Sequence, residues 1–156
     1  MKKSWMAAAA LAIGLAAVAE AGMPLQLGIA GDAAQIFAQE REITGLKLNL
    51  PYAANDYASG LDLGLIGGAG EFKGLRLNAV NLSDIKTTGL EFGVLNLAGG
   101  DVHGGQIAVF NRGGGVHGMQ LGIANYAEHL HGIQIGLINI VADGHTLVLP
   151  FVNWGF

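Results

Sequence analysis

The chain has no cysteine. Disulfides, thiolate metal ligands and a cysteine nucleophile are therefore excluded, as is a lipoprotein anchor, which needs a cysteine at the cleavage site. Serine is nearly absent, with only Ser4, Ser59 and Ser83, and neither of the later two sits in a nucleophile elbow. Basic residues are few, 8 against 12 acids, so there is no basic face for nucleic acid. Beyond the N-terminal segment no apolar run reaches the roughly 18 residues of a membrane helix. A membrane β-barrel stays open, because its signal is alternation.

The first 21 residues read as an export signal. Lys2 and Lys3 precede an Ala/Leu-rich stretch from Met6 to Val18, followed by Ala19-Glu20-Ala21. A basic head, a short apolar core and small residues at an A-x-A site are the features of a secretory signal peptide. The mature chain is expected to begin near Gly22 and to form one domain over 22–156. Losing two of 8 basic and one of 12 acidic residues leaves 6 against 11, a net charge of −5.

What the chain has in abundance is glycine, 26 residues, and much of it marks a repeat. "GMQLGIAN" at Gly118–Asn125 returns as "GIQIGLIN" at Gly132–Asn139. With that first glycine as position zero, units start at Gly45, Gly60, Gly74, Gly89, Gly104, Gly118, Gly132 and, substituted, Thr146. The spacing is 14 or 15 residues throughout. A fixed period means one supersecondary unit copied along the chain.

Three odd columns are apolar: +1 (for example Leu46, Leu75, Ile133), +3 (Leu48, Phe92, Leu121) and +5 (Leu50, Val109, Leu137), broken only by Gly105. Between them, +2 runs Lys47, Asp62, Arg76, Glu91, Gln106, Gln120, Gln134 and Val148, and +4 is mostly Gly, Asn or Ala. Alternation of this kind predicts strands with the Leu/Ile face buried and the +2 charges exposed, pairing across units to set register. Recurrent glycine inside a strand indicates tight curvature or close approach of another backbone. Position +6 is apolar again, a second face that suggests self-association. Asparagine fills +7 at Asn81, Asn96, Asn111, Asn125, Asn139 and Asn153; there it is expected to close each strand and bond into a turn.

The expected fold is all-β, with the repeats as strands of an antiparallel meander closed into a small barrel, eight strands being an even set. The alternative is a parallel β-solenoid with Asn stacked on Asn. A strand of eight residues spans about 26 Å, too far for the rest of the unit to return, so the solenoid requires a break near +5. Upstream, "PLQLGIAG" (24–31) reads as an outlying strand and "DAAQIFAQEREI" (32–43), with Asp32 as N-cap, as a short helix. Residues 22–44 are then a lead-in and 45–156 the eight repeats.

Histidine supplies the one candidate site. His103, His117, His131 and His145 recur at −1, with His129 nearby, and imidazoles in register are candidate ligands for a transition metal. The plainer reading is a turn residue copied with its repeat. "GGAGEFKG" is glycine-rich but lacks the Lys-Ser/Thr ending of a phosphate loop. With no paired carboxylates on strands either, no enzyme and no cofactor are expected.

The eight phrases, with "PLQLGIAG" and the closing "LPFVNWGF", resemble a family of uncharacterised bacterial surface-repeat proteins built on G-L-Q-x-G-L-[VI]-N units behind a signal peptide. The resemblance covers most of Pro24 to Phe156. It implies export and a repeat architecture and no catalysis. The first four units depart from it at +2, and Tyr52 and Gly67 replace the Asn. The alternation Val152, Trp154, Phe156 is similar to the closing strand of outer-membrane barrels, although aromatics, 7% of the chain, are few for interfacial girdles. The expected function is a non-enzymatic module of the periplasm, outer membrane or cell surface, with interaction or structural roles and no identified ligand. A small outer-membrane barrel is the alternative, and metal capture through the histidines a minor one.

Overall fold

The computed structural model describes residues 22–29, 35–143 and 147–156; the proposed signal peptide, His145 and Thr146 lie outside the described residues. Among the described residues seven strands form one sheet system: β1 (Met23–Gly28), β2 (Ile43–Phe92), β3 (Leu95–Ala98), β4 (Asp101–Ile107), β5 (Phe110–Leu121), β6 (Ala124–Val141) and β7 (Leu147–Gly155). Successive repeats pair in parallel and in register. Gly89 faces Gly104, Gly104 faces Gly118 and Gly118 faces Gly132, while Asn81, Asn96, Asn111 and Asn125 line up at the other end of the unit.

The chain is thus a β-solenoid of 14–15-residue coils, and the antiparallel meander does not form. The reach of the chain explains how each coil returns. Strands end at Phe92, Ile107 and Leu121 and restart at Leu95, Phe110 and Ala124, so each coil bends at +4 and +5 and has two short sides. That is the break the solenoid required. Within the long β2 the winding is the same, with Gly60 over Gly45, Gly74 over Gly60 and Gly89 over Gly74.

Position zero is glycine because the stack leaves no room there for anything else. At Gly118, φ is +141° and an added Cβ would overlap the Gly104 carbonyl oxygen of the coil below. Glycine alone tolerates both the positive φ and the backbone contact. At +4 the backbone crowding recurs and the asparagine column adds to it, since a Cβ on Gly136 would overlap Gly122 O and lie 2.6 Å from Asn125 Nδ2. The sequence signal of close backbone approach was sound.

The ends are closed differently. β1 extends the stack in parallel, with Gln26 opposite Lys47 and Leu27 opposite Leu48. The expected helix is absent over the described part: residues 35–42 form a bridge, bends and turns, with Gln35 paired to Gly28 and Ile36 N–H donating to Leu27 O at 3.0 Å. The start of this segment pairs with β1, and its later backbone groups bond to β2, Gln39 O accepting from Asp56 N, and Ala38 O and Arg41 O from Asn55 Nδ2, instead of forming a helix ladder. At the other end the eighth repeat does not continue the winding. β7 turns back antiparallel on β6, with Trp154 opposite Ile133 and Val152 opposite Ile135.

Gly118→Ala is expected to destabilise the fold by at least about 2 kcal/mol, through combined φ strain and overlap with the next coil. A urea midpoint indistinguishable from wild type would contradict that packing.

Candidate functional site: a polar interior and an apolar exterior

The strand alternation is read in the opposite sense from the sequence expectation. The +2 side chains point inward, with Lys47, Asp62, Arg76, Glu91, Gln106, Gln120 and Gln134 at most 1% exposed. The +1, +3 and +5 columns point outward. At the +5 corner Leu50, Leu65, Val94, Val109, Ile123 and Leu137 are 49–59% exposed. Burial of Leu and Ile is therefore not what holds the coils together.

Three strips fill the interior. Farthest from the +4/+5 bend, positions −2 and +9 together with Met23 of β1 supply small apolar clusters: Met23, Ile43, Ala58, Ala69 and Phe72 in the early coils, Ala98, Val102, Val116, Ala127 and Leu130 in the later ones. Next comes the +2 column. Gln134 Nε2 donates to Gln120 Oε1 at 2.8 Å, Gln120 to Gln106 at 2.8 Å, and Gln106 to Glu91 Oε2 at 2.9 Å. The second amide hydrogen crosses to the opposite wall, from Gln120 to Tyr126 O at 3.1 Å and from Gln134 to Ile140 O at 3.2 Å.

The third strip is asparagine. Asn81 donates to Asn96 Oδ1 at 2.7 Å, Asn96 to Asn111 at 2.9 Å, Asn111 to Asn125 at 2.9 Å and Asn125 to Asn139 at 2.8 Å. Each Nδ2 also meets a backbone carbonyl, as Asn111 meets Leu121 O at 2.9 Å. These residues close the +4 corner from within, a stronger role than the turn bond expected of them. Asn153 departs from the pattern. Because β7 runs antiparallel, it faces Gln134 and donates to Gln134 Oε1 at 3.3 Å, ending the glutamine column. At the other end of the molecule Gln26, opposite Lys47, closes the whole +2 column, bonded to Phe37 O at 2.8 Å and Phe37 N at 3.0 Å.

In the early coils the column is ionic. Arg76 lies 3.3 Å from Asp62 Oδ2 and 3.2 Å from Glu91 Oε1, all three fully or almost fully buried. With Lys47 the column carries two positive and two negative charges, so the interior has no net charge. Ser83 and Thr87 stand where other coils place apolar residues. Arg76 donates to Ser83 Oγ at 2.7 Å and Thr87 to Glu91 Oε1 at 3.2 Å, which splits the apolar strip into its two clusters. The sequence expected these pairs at the surface, worth little. Buried, they are a constraint: losing one partner of such a pair costs about 3–5 kcal/mol.

Lys47 hydrogen-bonds to Gly68 O, yet burial pushes its ammonium down from the ordinary 10.5 to about 8, with Arg76 adding to the decrease and Asp62 opposing it.

The histidines fall where a solenoid puts them. His103, His117 and His131 form one outward column, their rings stacked at 4.6 and 4.8 Å between centroids and inclined by 14°. The lone pairs of stacked imidazoles lie in the ring planes, side by side, and do not converge on one point. Among the described residues no group of three or more His, Cys, Asp or Glu could hold a metal ion. His129 lies apart, 3.2 Å from Asp143.

Lys47 generates a pH dependence. Its folded-state value is depressed, so between about pH 8 and 10.5 the unfolded chain binds the extra proton and stability rises with pH. The gain is expected to reach about 3 kcal/mol. Urea midpoints of wild type and Lys47→Met at pH 8 and pH 10 check this; equal pH responses would contradict it.

No family model, curated protein or solved structure matches this chain.

Proposed function

We propose that the chain is a non-enzymatic, exported β-repeat module of a bacterial cell envelope, working through its outer surface. The observation that carries this reading is the inversion of polarity. In this structure the amide columns are bonded coil to coil inside and the charged +2 side chains are at most 1% exposed, so they are closed to a substrate. What the molecule offers its surroundings is rows of Leu, Ile and Val. Soluble monomers rarely expose an apolar patch beyond a few hundred Å², and larger ones mark interaction surfaces.

Export rests on residues 1–21, whose basic head, apolar core and A-x-A site suit a secretory signal. A small outer-membrane barrel gains no support from the geometry. Such barrels are antiparallel around a lumen or plug, whereas these coils stack in parallel and are filled by their own side chains.

The test is expression of the full chain in a Gram-negative host, followed by fractionation and intact-mass analysis. A processed chain beginning at or near Gly22 in the envelope fractions is expected. Full-length chain confined to the cytosol would overturn the export reading.

A further inference from the structure

The rows of apolar side chains are not spread evenly round the coil. Taking +1, +3, +5 and +6 over the seven coils from Gly45 to Gly132, no position carries a polar side chain. These columns wrap the +4/+5 bend, so the apolar surface is a ridge that includes parts of both sides. The exposed charges gather elsewhere. Asp56, Glu71, Asp84, Lys86, Asp101, Glu128 and Asp143 sit at the opposite corner, with Lys73 and the histidine column beside it. Arg112, at +8, leans toward that corner, 3.5 Å from Glu128.

The solenoid is therefore a prism with one apolar long edge and one charged long edge. We infer that the apolar edge lies in the hydrocarbon of a phospholipid bilayer, with the solenoid axis in the membrane plane and the charged corner in water. This rests on the reading of the outer columns as the working surface and names what they meet.

Four observations favour lipid over a second copy of the chain or another protein. The first is shape, because a convex ridge offers two faces at an angle. One flat partner covers one face, while fluid acyl chains solvate both. The second is depth. The coil section is about 20 Å across at roughly 3.3 Å per residue, so immersion of about 5–10 Å, usual for interfacial elements, covers the bend and leaves the charged corner dry of lipid.

The third is texture. Where +4 is Gly or Ala the surface dips, giving shallow apolar grooves between Phe92, Ile107 and Val109, and between Ile123, Ile135 and Leu137. The fourth is continuity at the C-terminal end. β7 adds Val152 beside the +3 column and Trp154, 61% exposed, beside the +1 column. Tryptophan favours the boundary between headgroups and hydrocarbon.

Orientation across the membrane is disfavoured by the same geometry. The charged corner runs the whole stack, about 29 Å over six intervals of about 4.8 Å, and upright it would pass through hydrocarbon. The charge pattern also separates this mode from the usual basic amphipathic helix. Among the repeat positions that border the ridge only two are basic, Lys73 at −1 and Arg112 at +8, and acids outnumber bases in the chain, 12 to 8, so binding is expected to be driven by apolar insertion and not by anionic headgroups.

The experiment is flotation of the exported chain, its N-terminus established by mass, with phosphatidylcholine vesicles and with phosphatidylcholine mixed with phosphatidylglycerol, at low and high salt. Co-flotation with pure phosphatidylcholine is expected, unchanged or stronger at high salt and no better with the anionic lipid. Val109→Asp, Ile123→Asp and Leu137→Asp together should lower the vesicle partition coefficient at least tenfold. Val109→Thr, Ile123→Thr and Leu137→Thr keep the β-branched or polar-tolerant outward positions folded and should lower it in the same direction, with an unchanged far-ultraviolet β spectrum. Asp84→Ala with Glu128→Ala, on the charged corner, should leave it within twofold of wild type. Absence of flotation overturns the inference, as does binding that requires phosphatidylglycerol and vanishes in salt. A lipid-free dimer that the Thr variant turns into monomer, without flotation, assigns the ridge to a second copy instead. Those results leave the export reading standing, since processing is measured separately.

Discussion

The later coils of this structure depend on identical side-chain amides stacked one coil apart, as the early coils depend on the buried charges that take their place at +2. Parallel in-register strands lie about 4.8 Å apart, a spacing at which an amide can donate to the same amide in the next coil and accept from the one before. The same ladder stabilises cross-β assemblies of Asn and Gln. Here it runs inside a single chain, in two parallel columns that end on partners instead of in empty space: Asn139 on Leu149 O, and the glutamines on Glu91 at one end and Asn153 at the other. A buried polar network is stabilising when its members are satisfied and costly when they are not. The glycines at zero and +4 serve this constraint, bringing backbones close and clearing space for the asparagines.

Once the interior is polar, the exterior follows from alternation. Residues on either side of the inward Gln106, Gln120 and Gln134 must point outward, and apart from Gly105 they are apolar side chains: Ile107, Met119, Leu121, Ile133 and Ile135. The usual sense of hydrophobic burial is retained only in the narrow strip of −2 and +9 residues. The remaining apolar area faces outward, and its surroundings, aqueous or not, set the cost of leaving it there. That links the internal hydrogen bonding to the proposed membrane-facing edge: the ladder holds the coils together without using the Leu and Ile columns, which remain available for something else.

Much of the architecture was legible from the residues. The period, an opening strand within 24–31 (found at Met23–Gly28), the need for a break near +5 and the single histidine column of a solenoid all follow from spacing and reach. The direction of pairing did not, because a 14-residue unit suits a hairpin as well as a coil. Nor did the buried face: alternation is symmetric, and the common rule assigns Leu and Ile to the inside. A subtler signal lay in the columns themselves. Positions +2 and +7 repeat the same amide, or alternate charge sign as Lys47, Asp62, Arg76 and Glu91 do, whereas +1, +3 and +5 exchange Leu, Ile, Val, Met and Phe freely. A directional bond to one's own copy demands identity or complementarity, and apolar contact does not. The turn-back of β7 and the loss of the helix at 35–42 depend on end closure, which no repeat pattern encodes.

The most direct test is hydrogen exchange of the side-chain amides, followed by nuclear magnetic resonance on amide-labelled protein. The Nδ2 protons of Asn96, Asn111 and Asn125 and the Nε2 protons of Gln106 and Gln120 should exchange only as slowly as the whole fold opens, matching the backbone of β4 to β6. Exchange of these protons at the rate of free side chains, with the backbone still protected, would place them in water and contradict the polar interior.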